Sequence, residues 1–165
     1  MQSFYWLIED ELAGCGRPGG RGRGLAWNSD AARAALEDDL AWLRARGIRA
    51  VLTLTEEPLA DGALARNGLV GLHLPVRDMT APTPAQLEAA LDFIDRQRAS
   101  RRPVAVHCLV GQGRTGTVLA AYLIRSGMTP EEALRRVRAV CPGAVENDEQ
   151  QRALAAYAYR RDWIV

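Results

Sequence analysis

Apolar residues are laid out along this chain in two rhythms, short unbroken runs and helical faces. The runs at Trp6 to Ile8, Ile48 to Leu54, Leu69 to Leu74 and Val104 to His107 read as strands, the last of them buried. Leu36, Leu40 and Leu43 recur at i, i+4, i+7, and so do Leu87, Leu91 and Ile94, which gives each segment one apolar face to lay on a sheet. Thr83-Pro84-Ala85-Gln86 and Thr129-Pro130-Glu131-Glu132 each place a Thr N-cap, a Pro at the first helical position and Gln or Glu two residues later, the pattern of a capping box. Three helices in succession are expected after the last run, at about 114–126, 130–140 and 148–161, with Cys141-Pro142-Gly143 separating the last two. The alternation predicts an α/β sheet. No internal repeat or linker interrupts it, so residues 1–165 are expected to form one domain.

The segment between the last run and the apolar stretch Val118 to Ile124 is His107-Cys108-Leu109-Val110-Gly111-Gln112-Gly113-Arg114-Thr115-Gly116-Thr117. A strand, a glycine loop and a helix N-terminus aim backbone N–H groups and the positive end of a helix dipole at one point. A thiol acts as a nucleophile only when ionised, and inward amides, a helix N-terminus and a nearby arginine all favour the thiolate. Cys108 has all three available, and the same field suits a dianionic phosphate. Arg114 offers a planar fork for two phosphate oxygens, which lysine cannot reproduce. Thr115 can donate to the Cys108 sulfur or cap the helix. The glycines also match the dinucleotide fingerprint Gly111-x-Gly113-x-x-Gly116, but that motif needs an acidic residue about 20 positions on at the end of a second strand. Here Glu131 and Glu132 open a capped helix instead.

Composition narrows the classes further. The 165 residues carry a formal net charge of +1, so no global field for nucleic acid or membrane is expected. All 21 basic residues are arginine, which removes the Walker A class, since its lysine cannot be supplied. Cys15, Cys108 and Cys141 are odd in number, widely spaced and without zinc-ligand spacing, which suits reduced thiols. The N-terminal residues lack a basic region and reach Glu9 and Asp10 too early for a signal peptide, and no stretch approaches the ~18 apolar residues of a membrane span. A cytoplasmic monomer with no cofactor, no metal and no nucleic-acid partner is expected. Gly14 to Gly24 is the one low-complexity tract, read as a flexible cationic surface loop near the site, with an RNA-contacting tract as the alternative.

The segment His107 to Thr117 resembles the protein tyrosine phosphatase signature, His-Cys, five residues, then Arg and Ser or Thr. The chain from Trp6 to Tyr159 is similar to the small atypical dual-specificity phosphatases and their bacterial and archaeal relatives. Leu12-Ala13-Gly14, Leu54-Thr55-Glu56, Pro75-Val76-Arg77-Asp78 and Pro142 to Gln150 match in the right order. The resemblance implies the tyrosine phosphatase fold, with a central, mostly parallel sheet of four to five strands flanked by helices. It also implies metal-free phosphomonoester hydrolysis through a cysteinyl phosphate, on a phosphorylated protein or peptide.

Protonating the leaving group requires an acid that a Cys/Arg loop does not contain. Asp78, in the loop Val76 to Pro82, occupies the place of the family's general acid. Gln150, in Val145-Glu146-Asn147-Asp148-Glu149-Gln150, matches the amide that orients the hydrolytic water, with Gln151 as the adjacent alternative. Leu109, Val110, Gly111, Gln112, Gly113 and Arg114 are the expected substrate-binding residues. His107 is expected to hydrogen-bond the loop backbone, since neighbouring strand residues point to opposite faces. Glu146 is expected to contact the loop or Arg114 from behind, and His73 to be a structural strand residue. Relatives that act on inositol lipids carry basic residues inside the loop, whereas Leu109, Val110 and Gln112 are uncharged, leaving only Arg77 or the arginines from Arg17 to Arg23 to supply charge from outside. Phosphotyrosine is therefore the expected substrate, with phosphoserine and phosphothreonine beside it. Nucleotide, RNA 5′-phosphate or inositol phosphate substrates are the alternative, and a phospho-binding module without turnover is a third reading. An accessible thiolate is also open to peroxide, with Cys15 or Cys141 as the thiol that would resolve a sulfenic acid.

Overall fold

A computed structural model describes residues 1, 3–20 and 29–162. Five strands and six helices follow one another as β1 (Tyr5–Ile8), β2 (Leu12–Cys15), α1 (Asp30–Ala45), β3 (Ala50–Thr53), α2 (Ala63–Arg66), β4 (Val70–His73), α3 (Pro84–Ala99), β5 (Val104–His107), α4 (Gly113–Arg125), α5 (Pro130–Val140) and α6 (Asp148–Asp162). The strands form one sheet in the order β1-β2-β5-β3-β4, antiparallel between β1 and β2 and parallel elsewhere. The expected α/β architecture is therefore present, with five strands.

Alternation along the strands divides the core into two layers. Leu12, Ala50, Leu52, Val104 and Val106 face α3, α4, α5 and α6, while Ala13, Cys15, Val51 and Ala105 face the opposite layer, where Leu36, Leu40 and Leu43 of α1 cover them. Both predicted leucine faces are buried, Leu87, Leu91 and Ile94 of α3 included. α4 is covered on every side, because α3, α5 and α6 pack round it against the sheet, and this accounts for its unbroken apolar sequence. Both predicted capping boxes form, with Thr83 accepting from Gln86 N and Thr129 from Glu132 N. α1 is capped by Ser29.

Two expectations need correction. β2 lies where the sequence suggested only the start of a flexible tract: Leu12–Cys15 is a fully buried strand between β1 and β5. Residues 16–20 are also ordered against the rest of the molecule. Arg17 is buried and gives its guanidinium to Thr55 Oγ1, to Glu57 O at 2.8 Å and to Pro58 O at 2.7 Å. The rest of the tract, 21–24, lies outside the described residues. The short α2 was also not predicted.

The connections place the crevice. The chain leaves β2 towards α1 on one face of the sheet, and leaves the neighbouring β5 into α4 on the other. Adjacent parallel strands whose connections part to opposite faces open a gap at their carboxyl ends, the usual ligand position in such sheets. Cys108 follows β5 into that gap. None of the described helices is long and apolar enough to cross a membrane.

Candidate active site

The loop between β5 and α4 is built from backbone contacts. Arg17 N–H donates to Leu109 O at 3.0 Å, so the chain after β2 is fastened to the loop's first turn. Tyr5 Oη, from the edge strand, donates to Gly111 O at 2.8 Å, and Cys141 Sγ lies 3.8 Å from the same oxygen. Gly111 has φ +83°, and a Cβ there would stand 2.5 Å from the carbonyl carbon of Cys15. The loop turns back on itself only because this residue has no side chain.

The close neighbours of the loop glycines are other parts of the chain. Beyond Gly111, a Cβ on Gly113 would collide with the Glu146 carboxylate, and one on Gly116 would come within 2.8 Å of Ala144 Cβ. Residues 144–146 thus lie directly on the first turn of α4, with the Glu146 carboxylate against Gly113. α4 differs from α1, α3 and α5 in one respect: its N-cap, Gln112, makes no side-chain cap. The dipole end of a 13-residue helix faces the loop without a hydroxyl across it.

Cys108 is buried beneath this turn, while the side chains of Leu109 and Val110 stand at the surface, 45% and 38% exposed. His107 is fully buried. Its Nδ1 lies 3.2 Å from Cys108 O and its Nε2 2.9 Å from Thr53 Oγ1. A carbonyl can only accept, so Nδ1 carries a proton; because burial keeps the ring neutral, Nε2 is left to accept from the threonine. Burial pushes its pKa down to about 3, with the Arg17 and Arg114 guanidinia acting in the same direction and the bond to Cys108 O opposing. His107 thus braces the Cys108 peptide.

Arg114 runs from α4 to the segment after β4. Its Nη1 donates to Val76 O at 2.9 Å and its Nη2 pairs with Asp78 Oδ1 at 2.7 Å. The guanidinium is buried and the carboxylate is 55% exposed, so Asp78 reaches down from a solvated loop into the mouth of the Cys108 turn. Residues 36 apart in the sequence are thereby brought together. Gln150 is fully buried: its Oε1 accepts from Glu146 N at 2.7 Å and its Nε2 donates to Thr80 O at 3.3 Å. Gln151, the alternative, is exposed.

The bond expected from Thr115 to Cys108 is not formed, and Thr115 does not cap α4 either. Its hydroxyl is buried without a hydrogen-bond partner. Thr117 turns back to Gly113 O at 2.7 Å. The three cysteines are free. Cys15 belongs to the layer opposite Cys108, across the sheet, and Cys141 to the same layer as Cys108. Burial raises the pKa of both Cys15 and Cys141, so they rest as thiols.

Four contributors were not identified from the sequence. Tyr5 and Arg17 hold the loop, and Asn147 and Glu149 contact the segment after Asp78. Only Asn147 carried a readable signal, as an Asn directly before an acidic helix start.

Residues 22–128 match the family model described as a polymorphic toxin system DSP-PTPase phosphatase. The phosphatidylglycerophosphate phosphatase PTPMT1 of Arabidopsis thaliana is 32% identical over 124 residues, covering 72% of this chain and 37% of that protein. Dual specificity protein phosphatase 12 of Rattus norvegicus is 30% identical over 118 residues, 70% of this chain and 35% of the other. The chain thus spans little more than a third of either curated relative. The crystal structure of Tk-PTP in the active form superposes with a TM-score of 0.79 at 32% identity, covering 96% of this chain and 97% of that one.

Proposed function

The chain belongs to the DSP-PTPase family of cysteine-based phosphatases, and we propose that it hydrolyses phosphotyrosine in proteins or peptides through a phosphocysteine on Cys108, with phosphoserine and phosphothreonine as further substrates. The observation that carries this reading is the convergence of Cys108, Arg114 and Asp78 at one crevice, with Asp78 2.7 Å from the guanidinium.

In the first step the Cys108 thiolate attacks phosphorus and the bond to the ester oxygen breaks. Amides of residues 109–113 and the Arg114 fork hold the phosphoryl oxygens where charge is concentrated in the transition state. Asp78, having taken up a proton from solvent once phosphate competes for Arg114, gives that proton to the departing oxygen. In the second step water attacks phosphorus, Asp78 takes the proton, the P–S bond breaks and inorganic phosphate leaves. Gln150 orients that water, and the otherwise unbonded Thr115 hydroxyl stabilises the sulfur as it regains its charge.

The exposed, uncharged Leu109 and Val110 favour an aryl phosphate on a peptide. A second reading is favoured by the 32% and 30% identity to two proteins of Arabidopsis thaliana named as phosphatidylglycerophosphate phosphatases. Turnover in EDTA of p-nitrophenyl phosphate, phosphotyrosine and phosphoserine peptides, and vesicles containing phosphatidylglycerophosphate or a phosphoinositide decides between them. The peptide is expected to be turned over fastest, and Cys108→Ser to be inactive on every substrate. A vesicle substrate turned over at least ten times faster than the peptide replaces the first reading with the second. Full activity of Cys108→Ser removes both.

A further inference from the structure

The guanidinium that pairs with Asp78 at 2.7 Å is also the proposed phosphate fork, so a phosphate in the loop competes with Asp78 for this pairing. Burial does not replace it: Asp78 and Met79 are each 55% exposed. The segment's own bonds are a single turn, from Thr80 N and Thr80 Oγ1 to Arg77 O. Met79 also has φ +60°, a left-handed conformation that a long side chain adopts only when its surroundings impose it.

What imposes it comes from the start of α6. Asn147 Nδ2 donates to Met79 O at 2.8 Å, Ala81 N–H donates to Glu149 Oε1 at 3.0 Å, and Gln150 Nε2 donates to Thr80 O at 3.3 Å. Three consecutive residues after Asp78 are thus each held through the backbone. The other end of the Asn147 amide is also in use, its Oδ1 accepting from Gln150 N at 3.0 Å as a helix N-cap. The preceding residues are anchored in turn: Arg138 donates to Ala144 O at 3.1 Å and to Val145 O at 3.0 Å, and Ala144 and Glu146 lie against Gly116 and Gly113 of α4. An unbroken line of contacts therefore runs from the phosphate loop's helix, through 144–146, to the acid's loop, without passing through Arg114.

We propose that Asn147 and Glu149 are positioning residues that hold Asp78 over the Cys108 loop with or without substrate, so that the acid is set in advance instead of being delivered by loop closure. This rests on the reading of Asp78 as general acid given above. It also predicts a separation by leaving group, since an ester whose oxygen departs readily needs no proton in flight.

The test is kcat/KM across aryl phosphates ordered by phenol pKa, in wild type and in Asp78→Ala. Asn147→Asp keeps the acceptor that caps α6 and removes the donor to Met79 O. Glu149→Ala removes the acceptor for Ala81 N–H, and Glu149→Gln restores it. Asn147→Asp and Glu149→Ala are each expected to lose about 10-fold on the poorest leaving groups and under 2-fold on the best, with Glu149→Gln near wild type. Neither is expected to cost anything further in the Asp78→Ala background. Amide exchange at Ala81 is expected to quicken in Glu149→Ala only, which shows the contact independently of turnover. An equal loss across all leaving groups, an undiminished loss in the Asp78→Ala background, or no loss at all overturns the proposal. A flat leaving-group response in Asp78→Ala itself instead removes the assignment of the acid, and the positioning role with it.

Discussion

The Cys108 loop and the Asp78 loop meet at one guanidinium, yet they are held by different forces. The first is a continuous segment on which His107, Cys108, Arg114 and Thr115 are all buried, wedged between β2, Tyr5 and residues 144–146. The second is exposed at its tip and is held by polar contacts from side chains almost 70 residues further along the chain. Packing is intolerant of added volume and indifferent to salt, whereas a solvated loop tied by hydrogen bonds is lost one donor at a time. The nucleophile and the acid should therefore fail in distinguishable ways.

Cys108→Ser should have the largest effect, a loss of turnover on the order of 10⁴-fold or more with phosphate binding retained, as measured by steady-state rates and by titration with inorganic phosphate. Loss of phosphate binding in this variant would mean that the thiol organises the turn as well as attacking. Asp78→Ala should cost about 10²–10³-fold in kcat on phenolates of high pKa and much less on good leaving groups, with the melting temperature little changed, because the side chain removed is mostly exposed. A melting temperature that fell with kcat would erase the distinction between the two loops.

The buried side of the comparison is testable by pH. His107 is neutral when folded, with a pKa near 3, and binds a proton near 6.5 when unfolded. Between those values the unfolded state holds more protons, so the contribution of this residue is complete above pH 6.5 and is lost as the pH falls towards 3. Urea unfolding should show about 3 kcal/mol of this lost between pH 7 and pH 4 in wild type, and a correspondingly flatter profile in His107→Gln. Gly111→Ala should cost about 2 kcal/mol by the same measurement, because it combines a positive φ with a collision against the Cys15 carbonyl. Unchanged stability there would show that the turn yields, contrary to a packed loop.

Much of the site could be read in the sequence, and the contrast between the loops explains which part. A contiguous motif keeps its spacing whether folded or not, so Cys108, Arg114 and the glycines declare themselves, as do the capping boxes at Thr83 and Thr129. Asp78 and Gln150 were located through family resemblance, and the structure brings both to the crevice. β2 was hidden because four residues ending in Gly-Cys run into a glycine-rich tract, and its Gly14 is there to admit the Tyr5 ring, a contact with no local signature. Arg17 was read as one cation in a charged tract because two of its three acceptors named above are carbonyls, of residues 57 and 58, and every residue type carries a carbonyl. Asn147 and Glu149 escaped for the same reason, since their partners are the backbone of residues 79 and 81. Thr115 is the opposite case: the sequence offered its hydroxyl two partners, the Cys108 sulfur and the helix start, and the resting structure gives it neither.

The ion pair between Arg114 and Asp78 also bears on how the site empties. An oxyanion entering the loop competes for the guanidinium with a carboxylate already seated there, and once inorganic phosphate has left and Asp78 has released the proton it took from water, the carboxylate takes the seat back. Entry and exit are then exchanges of one anion for another, and retention is governed by the difference between the two instead of by the full pull of the cation. A cradle that draws in phosphate this strongly would otherwise be prone to product inhibition, and a tethered competitor kept within 2.7 Å works against it at every turnover.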